Sequence, residues 1–426
     1  MARLRPHLQT SGNFCQLQSG YRSGHSTETA LLQVLDGIYT AADRRELSVM
    51  VSLDISAAFD TIVHSTLLTR LQSEFGVSGT VIGWVQSYLT GRSMRVTVGQ
   101  QSSETVLLSS GVPQGSVLGP LLFTTYTSPI GDVISQHGVQ YHQYADDTQL
   151  HLSMRVNENT ATKLRQLSDC TDAVKTWYLK NGLMLNPDKS EVMLMGTGKQ
   201  LHAADNLSRV TVAGVELDVK DEIKTLGVVL DNGLTFSKHA NAVARSCQYH
   251  IQAIRHIRHL LTRDLALTLA CSMVLSRLDY CNSLLYGAPI TVLNKLQRIQ
   301  NNTARVVLQV PRITSSKPLL KELHWLPVQS RIRYKLATIV FQTRTTSTPP
   351  YLNDLIFNRT CSRSLRSSAK PLLNIPSVRT ELAKRAFRYS APSVWNSLPV
   401  NVVNSSTLSS FKSSLKTELF KLAFSD

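Results

Sequence analysis

The sequence predicts an α+β protein in which a mixed first part is followed by a helical, basic second part. As far as residue 236, short apolar runs of strand length alternate with amphipathic helical segments. Beyond residue 237, apolar residues recur mostly at helical spacing, and the excess of positive charge is confined to this part. We therefore expect an α+β region joined to an all-α module.

In the first part, regular structure begins at Ser26-Thr27-Glu28, where hydroxyl side chains can cap a helix whose apolar face includes Leu31 and Leu35. The run LSVMVSLDI at 47–55 is long enough for a buried strand. The other predicted elements rest on the same kinds of pattern, helical spacing of apolar residues for helices and short apolar runs for strands. They are helices at 67–75, 81–89 and 158–181, a hairpin of 94–98 with 104–108, and strands at 139–145, 148–154, 183–186, 191–195, 209–217 and 225–230.

The second part is predicted to be helical as far as a linker. A Ser/Thr/Pro-rich stretch at 343–350 is typical of such a linker, and the tail that follows it is rich in Ser and sparse in acids. We therefore divide the chain into residues 1–236, 237–343 and 344–426. The predicted helices are 237–261, 263–285, 291–309 and 328–343.

Composition excludes several classes of protein. The chain has 426 residues, 42% of them hydrophobic and 17% charged, which is enough apolar material for a core and argues against disorder. It has no run of eighteen apolar residues and no apolar stretch at its start, so we expect no membrane span and no secretory signal. The six cysteines are spaced singly, which argues against a disulfide scaffold or a zinc finger and favours a reducing, intracellular location.

The charge is distributed unevenly along the chain. Residues 237–426 hold 27 Lys and Arg against 7 Asp and Glu, whereas residues 1–236 hold 18 against 22. A basic excess in one region favours a polyanionic partner such as nucleic acid, and the alternative is a solvated basic surface. Arg255, Arg258 and Arg263 are candidates for phosphate contacts. Trp325 and Trp395 could stack on bases, but we expect both in the core.

Three carboxylates lie in apolar surroundings. Asp54 interrupts an apolar strand, and Asp146 and Asp147 are adjacent between two predicted strands in YADDTQL. A buried carboxylate needs a partner, two neighbouring carboxylates repel each other, and no Lys or Arg is close in sequence. Bound Mg²⁺ would relieve both problems, and two carboxylates can bridge two metal ions. The alternative for Asp-Asp alone is an ordinary turn.

A second unusual segment is SGVPQGSVLGP at 110–120. Its three glycines and two prolines impose a specific backbone path. Glycine permits close approach to a flat substrate, and Gln114 could hydrogen-bond a sugar or a base edge. The alternative is a tight loop before a helix. Phe59, five residues after Asp54, could form a wall of the metal site.

Three segments, LDISAAFD, YADD and SGVPQGSVLGPLLF, occur together in one chain and resemble the reverse transcriptase domain of non-LTR (LINE-type) retrotransposons. Further segments that resemble parts of this family, from its second fingers motif to its carboxy-terminal region, are QSGYRSGHSTETALL, LNPDKSEVMLMG, KTLGVVLDNGLTFSKHA, LDYCNSLLYG, LQRIQNNTARVV, LHWLPVQSRIRYK and APSVWNSLP. The likeness covers almost the whole chain, and the motifs occur in the expected order.

The resemblance implies a role for each matching residue in catalysis. Asp54 and Asp146 would be the ligands of two Mg²⁺ ions, for which Mn²⁺ could substitute, and Asp147 would support that site. Lys189 would be a general acid for the pyrophosphate leaving group. The alternative for Lys189 is a surface lysine on a turn.

The resemblance also implies roles in substrate binding. Phe59 would be the steric gate that excludes the ribose 2′-OH, and Arg22 would contact the incoming triphosphate. Gln114 and Gly115 would line the nucleotide and template pocket. Tyr144 would pack near the primer end.

For the whole chain, the resemblance implies a right-hand polymerase with partial fingers and a palm, followed by an all-α basic thumb and carboxy-terminal region. Its partners would be an RNA template, a DNA or RNA primer and dNTPs, in the cytoplasm, the nucleus or both. The family's first fingers motif and upstream endonuclease are not found, so we expect a truncated amino terminus. The alternative function is a catalytically silent remnant that binds nucleic acid.

Overall fold

The computed structural model of the chain describes residues 2–156, 158–359 and 371–425. The chain divides into two compact units, and each of them is discontinuous in sequence. Unit 1 comprises 1–26, 48–194 and 203–220, and unit 2 comprises 27–47, 195–202 and 221–426. This division cuts the chain differently from the three consecutive segments expected from the sequence, since an early helix and the residues just before 237 belong to unit 2.

The described residues form both helices and strands, which confirms the α+β class. The helices are α1 (Leu4–Gln9), α2 (Thr27–Asp43), α3 (His64–Ser73), α4 (Gly79–Leu89), α5 (Gly119–Thr127), α6 (Ile130–Gln136), α7 (Thr160–Lys180), α8 (Gly198–Ala203), α9 (Ser237–Ile257), α10 (Arg263–Ala270), α11 (Ser276–Asp279), α12 (Ile290–Leu308), α13 (Ser316–Glu322), α14 (Val328–Thr346), α15 (Pro350–Asn353), α16 (Phe387–Ser397), α17 (Val400–Val403) and α18 (Leu408–Phe424). The strands are β1 (Leu47–Leu53), β2 (Ile55–Ser56), β3 (Ser93–Met94), β4 (Thr97–Val98), β5 (Gln101–Ser102), β6 (Val106–Leu107), β7 (Gln140–Tyr144), β8 (Asp147–Met154), β9 (Met184–Leu185), β10 (Glu191–Met195), β11 (Arg209–Val212), β12 (Val215–Lys220), β13 (Glu222–Thr225) and β14 (Val228–Asp231).

Unit 1 is built on a six-stranded sheet in the order β11-β12-β10-β1-β8-β7. The central strand β1 is buried along almost its whole length, as its unbroken apolar run predicts. β7 and β8 form an antiparallel hairpin in which Tyr144 faces Asp147. β10 and β12 run parallel. Because β1 and β8 are neighbours, the sheet brings the segment after β1 into one unit with the β7–β8 hairpin.

Two segments predicted as single strands are hairpins, so both predictions were wrong. The segment 209–217 divides between β11 and β12 at Ala213-Gly214, and 225–230 divides between β13 and β14 at Leu226-Gly227. The φ angles are 51° and 80° in the first turn, and 45° and 78° in the second. Two successive positive φ angles suit a tight hairpin turn, but alanine or leucine before glycine is a much weaker signal than Asn-Gly.

The predicted helix 263–285 is also broken. It consists of α10, a π-helical turn at Cys271–Leu275, α11 and, after Cys281 at φ 51°, a 3-10 turn at Asn282–Leu285. The buried carboxylate of Glu28, on α2, accepts hydrogen bonds from the Ser283 main-chain nitrogen at 2.9 Å and from its hydroxyl at 2.6 Å. This partner is remote in sequence, so helical periodicity could not reveal the break.

Further along unit 2, α14 continues to Thr346 and α15 begins at Pro350, so only residues 347–349 of the predicted linker lie between helices. Trp325 and Trp395 are buried, which confirms the expectation that they belong to the core. Arg258 is also buried, and its Nη2 donates to the carbonyl oxygen of Val307 at 2.7 Å. The prediction that it is available for phosphate contacts was therefore wrong.

No helix in the described residues combines the length and the hydropathy that crossing a bilayer requires. The five described cysteines are free thiols, and the sixth, Cys361, lies outside the described residues.

Candidate active site

The candidate active site lies in unit 1, where the three singled-out carboxylates follow or begin strands of the central sheet. Asp54 comes directly after β1, and its main-chain oxygen accepts a hydrogen bond from the Asn186 nitrogen at 2.8 Å. Asp146 lies in the turn between β7 and β8, and Asp147 begins β8. A strand end and a hairpin turn from neighbouring strands thus supply the carboxylates.

Burial and neighbouring negative charges raise the pKa values of two of these carboxylates. Partial burial, followed by the charges of Asp146 and Asp54, raises the pKa of Asp147 to about 6. Burial and the charge of Asp54 also raise the pKa of Asp146, although a backbone hydrogen bond opposes the shift. The three side chains therefore share one electrostatic environment, which a cation would stabilise.

The structure brings Lys189, a cation, to this group. It ends a 3-10 turn at Pro187–Lys189, where its backbone nitrogen donates to Asn186 Oδ1 at 3.3 Å. Antiparallel pairing of β2 with β9 carries this turn to Asp54, so that Lys189 Nζ lies 4.0 Å from Asp54 Oδ2. The Lys189 side chain is 70% exposed, so the ion pair itself adds little stability.

The donor set fits Mg²⁺ that is shared with a substrate. No three His, Cys, Asp or Glu side chains within the described residues are close enough together to hold a metal ion by themselves. Mg²⁺ is commonly held by one or two carboxylates together with substrate phosphates, and carboxylate oxygens are its preferred ligands. Asp54 and Asp146 could supply such oxygens, with Asp147 beside them.

The SGVPQGSVLGP loop packs against the segment that follows Asp54. The Gly111 nitrogen donates to the Ile62 carbonyl oxygen, and the Val112 nitrogen to that of Phe59, both at 2.8 Å. Gly111 has φ +87°, and a Cβ there would come within 2.8 Å of the Asp60 backbone oxygen, so this close approach requires glycine. The loop therefore fixes the backbone of residues 59–62.

Two predicted substrate-binding residues meet at this junction. Gln114 Nε2 lies 3.2 Å from each carboxylate oxygen of Asp60, and both side chains are exposed. The half-buried ring of Phe59 stacks on the buried ring of Phe123 of α5, with 4.6 Å between their centroids and 22° between their planes. Neither Asp60 nor Phe123 was predicted from the sequence. Stacking and the backbone bond to Val112 hold Phe59 in place.

The other predicted residues lie in different settings. Gly115 has φ +76° and open space where a Cβ would be. Tyr144 ends β7, opposite Asp147. The Arg22 guanidinium donates to backbone carbonyl oxygens, at 3.2 Å for Gln16 and 3.1 Å for Gln18, and therefore holds the preceding loop.

Sequence reasoning missed the residues that support the β7–β8 turn. Gln18 is 1% exposed, and its Oε1 accepts from the Ala145 nitrogen at 2.8 Å while its Nε2 donates to the Ala145 oxygen at 2.9 Å. A Cβ on Gly20 would lie 2.4 Å from the Ala145 nitrogen. Partial burial and the charge of Asp146 raise the pKa of Tyr21. The only indication in the sequence was that QSGY is part of a segment that resembles the reverse transcriptase family.

Comparisons with known proteins identify the family. Residues 1–230 match the family described as reverse transcriptase (RNA-dependent DNA polymerase). The probable RNA-directed DNA polymerase from transposon BS of Drosophila melanogaster is 30% identical over 331 residues, which are 74% of this chain and 35% of that protein. The RNA-directed DNA polymerase from mobile element jockey of Drosophila funebris is 27% identical over 327 residues, 75% of this chain and 34% of that protein.

The chain thus spans about a third of the length of these curated relatives. Among solved structures, apo telomerase from Candida tropicalis aligns with 82% of this chain and 60% of that chain, at 12% identity and a TM-score of 0.41. A likeness of this size assigns neither a fold nor a function.

Proposed function

The chain belongs to the reverse transcriptase (RNA-dependent DNA polymerase) family, and on that basis we propose that it is the RNA-directed DNA polymerase of a LINE-type retroelement. It would add dNMPs to a primer 3′-OH, with RNA as the template, DNA or RNA as the primer and dNTPs as substrates. The observation that carries the proposal is the group formed by Asp54, Asp146, Asp147 and Lys189 within unit 1.

The carboxylates would hold the metal ions. Asp54 and Asp146 present oxygen ligands from neighbouring strands, and Asp147 adds negative charge beside them. Two Mg²⁺ ions, when bound, would supply positive charge that stabilises the attacking hydroxyl oxygen and the departing pyrophosphate. Mn²⁺ could replace them. Partial burial and the negative charges of neighbouring carboxylates raise the pKa values of Asp146 and Asp147, and these shifts support the role.

Lys189 would donate a proton to the leaving pyrophosphate. Its ammonium group is exposed and lies 4.0 Å from Asp54 Oδ2. A flexible exposed lysine can reach a phosphate oxygen bound beside the same carboxylates. Arg22 would contact the triphosphate, which requires its guanidinium to exchange some of its carbonyl partners.

The remaining roles concern selection of the substrate. Phe59 would exclude a ribose 2′-OH, because its ring is held by Phe123 and cannot easily yield. Gln114 and Gly115 would line the nucleotide and template pocket, and Tyr144 would pack near the primer end. Partial fingers and a palm in 1–236, a thumb in 237–343 and a basic segment in 344–426 complete the proposed right-hand arrangement.

The test is primer extension on poly(rA)/oligo(dT) with Mg²⁺ and dNTPs. We expect wild-type activity that Asp146→Ala abolishes and that Asp169→Ala, an exposed carboxylate of α7, leaves unchanged. If the wild type extends no primer, or if Asp146→Ala extends primers as the wild type does, the polymerase proposal is wrong.

The basic carboxy-terminal half supports a second candidate, a catalytically silent protein that binds nucleic acid. Residues 237–426 carry 27 basic against 7 acidic side chains. Phosphate contacts release counterions, so the affinity for an RNA duplex should fall steeply with salt. Salt-sensitive binding without primer extension would favour this candidate, and binding that does not respond to salt would exclude it.

A further inference from the structure

A second candidate site lies within unit 2, in a cavity of about 580 Å³. Its walls come from the segment Leu267–Asn282, from the residues before α14, from α14 itself and from α18. Much of this lining is apolar, and Leu267, Leu275, Leu323, Leu326 and Trp325 contribute to it. Its size and largely apolar walls are those of small-molecule sites.

One buried polar atom in the lining lacks a hydrogen-bond partner among the described residues. Asn282 is 2% exposed, and its Nδ2 donates to Asp279 Oδ1 at 3.2 Å. A carboxylate only accepts hydrogen bonds, so this contact fixes which atom of the amide is nitrogen. Asn282 Oδ1 has no donor among the described residues. A buried acceptor without a donor is unfavourable, and a ligand with an N–H group would satisfy it once a small movement of the lining side chains opened this atom, which is closed off from solvent.

Four cations also line the cavity, and two of them are unpaired. Arg331 pairs with Asp279, and Lys335 Nζ lies 3.4 Å from Glu28 Oε2. Lys412 and Lys416 are exposed, lie one turn apart on α18 and have no ion-pair partner in the part of the chain that the structure describes. Two like charges at this spacing repel each other, so a bound anion would stabilise them.

We propose that this cavity binds a single unstacked nucleotide. The base enters the apolar cavity and donates an N–H to Asn282 Oδ1, and its phosphate lies between Lys412 and Lys416. A free phosphate would leave the apolar volume unfilled, and an aliphatic anion would leave Asn282 without a donor. A nucleotide combines a flat ring, an edge with an N–H group and an anionic phosphate. Unstacked bases commonly bind beside aromatic side chains, and Trp325 and Tyr334 supply such side chains in this cavity.

The nucleotide could belong to a single strand or be free in solution, and three probes separate these sources. They are a fluorescent strand of about twelve uridines, an abasic strand of the same length, and uridine monophosphate. The abasic strand keeps the phosphates and removes the bases. Binding to the full chain is followed by anisotropy, with uridine monophosphate as a competitor.

The protein variants test the phosphate contact. We expect Lys412→Ala/Lys416→Ala to weaken binding of the uridine strand about tenfold, or about 1.4 kcal/mol, and Lys416→Ala to weaken it by less. The matched control is Lys421→Ala, which removes one exposed charge from the same helix but does not line the cavity. An equal loss from Lys421→Ala and Lys416→Ala would overturn the proposal.

A footprint tests the base contact without any substitution. Of the described cysteines, Cys271 alone is not fully buried, and it lines the cavity. The uridine strand should slow its alkylation, as read by peptide mass spectrometry, and the abasic strand should not. Equal protection by both strands, or no protection by either strand or by the mononucleotide, would show that no base enters.

Protection by uridine monophosphate at concentrations at which the strand has no effect would support a free nucleotide as the ligand. Neither readout involves primer extension, so failure of the polymerase proposal would leave this one standing.

Discussion

The Gln18 side chain and the Ala145 backbone form a closed pair of hydrogen bonds, at 2.8 Å to the Ala145 nitrogen and 2.9 Å from Gln18 to its oxygen. Ala145 has φ 58° and immediately precedes the two adjacent carboxylates. A buried amide therefore satisfies both polar groups of a residue in a left-handed conformation. These two hydrogen bonds hold the backbone of the turn that carries the carboxylates after β7.

Gln18→Ala should destabilise unit 1 by roughly 1–3 kcal/mol, because it leaves the Ala145 nitrogen and oxygen without their partner. Gln18→Glu should lose at least as much, because it buries a carboxylate that cannot donate to the Ala145 oxygen. Primer extension should fall in both variants. Urea unfolding and extension rates measure both effects. The exposed Gln136→Ala is the control, and an equal effect there would refute this role.

Gly20→Ala should be more damaging than its size suggests. The added Cβ would lie 2.4 Å from the Ala145 nitrogen and 2.9 Å from its Cα, so the backbone must move, at a cost of about 1–3 kcal/mol. Gly12→Ala is the matched control, because its Cβ would meet nothing within 4 Å. Thermal unfolding of the two variants should differ clearly, and similar unfolding temperatures would contradict the prediction.

Unit 1 should lose stability in acid because of two buried histidines in the β7–β8 hairpin. Burial lowers the pKa of His151 to about 4, and burial with neighbouring positive charges lowers that of His142 to about 3. As the pH falls below about 6.5, the two histidines bind protons in the unfolded chain but not in the folded chain. Each histidine then removes roughly 1.4 kcal/mol of stability per pH unit, until the pH reaches its folded pKa.

His151→Phe should flatten this acid dependence, since neither ring nitrogen of His151 has a hydrogen-bond partner in the described residues. Hydrogen exchange at the amides of β7 and β8, measured from above pH 6.5 down to about pH 4, reports the stability of unit 1. The exposed His256→Phe should leave the slope unchanged. An unaltered slope in His151→Phe would show that this histidine is not the proton site.

Phe59→Val should admit ribonucleotides. Removing the ring opens the volume that a 2′-OH would occupy, and we expect the preference for dNTPs over rNTPs to fall by roughly tenfold or more. Phe123→Leu removes the stacking partner but keeps the gate, so it should shift the ratio less and in the same direction. The kcat/KM ratio for the two nucleotides measures selectivity. A ratio that stays constant while overall activity falls would indicate a structural role alone.

Lys189→Ala should lower kcat by roughly a hundredfold with little change in KM, since proton transfer to the leaving group is a transition-state interaction. Lys180→Ala, at the exposed end of α7, is the control for loss of one positive charge. The measurement is single-turnover extension with saturating dNTP. A rise in KM at constant kcat would instead assign Lys189 to substrate binding.

Much of the fold followed from local patterns. The apolar run of β1, the long amphipathic α7 and the helices α9, α12 and α14 are predicted within a few residues, because burial of one face imposes a period that a sequence displays. Three of the errors lie at Ala213, Leu226 and Cys281. Each adopts a positive φ without a strong turn residue, so long-range contacts decided the conformation there.

The sequence by itself determined the family, the α+β class and the candidate carboxylates, because these depend on residue types in a recognisable order. Only the tertiary structure decided that Gln18 and Gly20 support the turn, that Phe123 holds Phe59, and that Lys189 lies beside Asp54. These contacts join residues that are remote along the chain. A buried hydrogen bond or ring contact depends on how strands and loops meet, and no local periodicity records that.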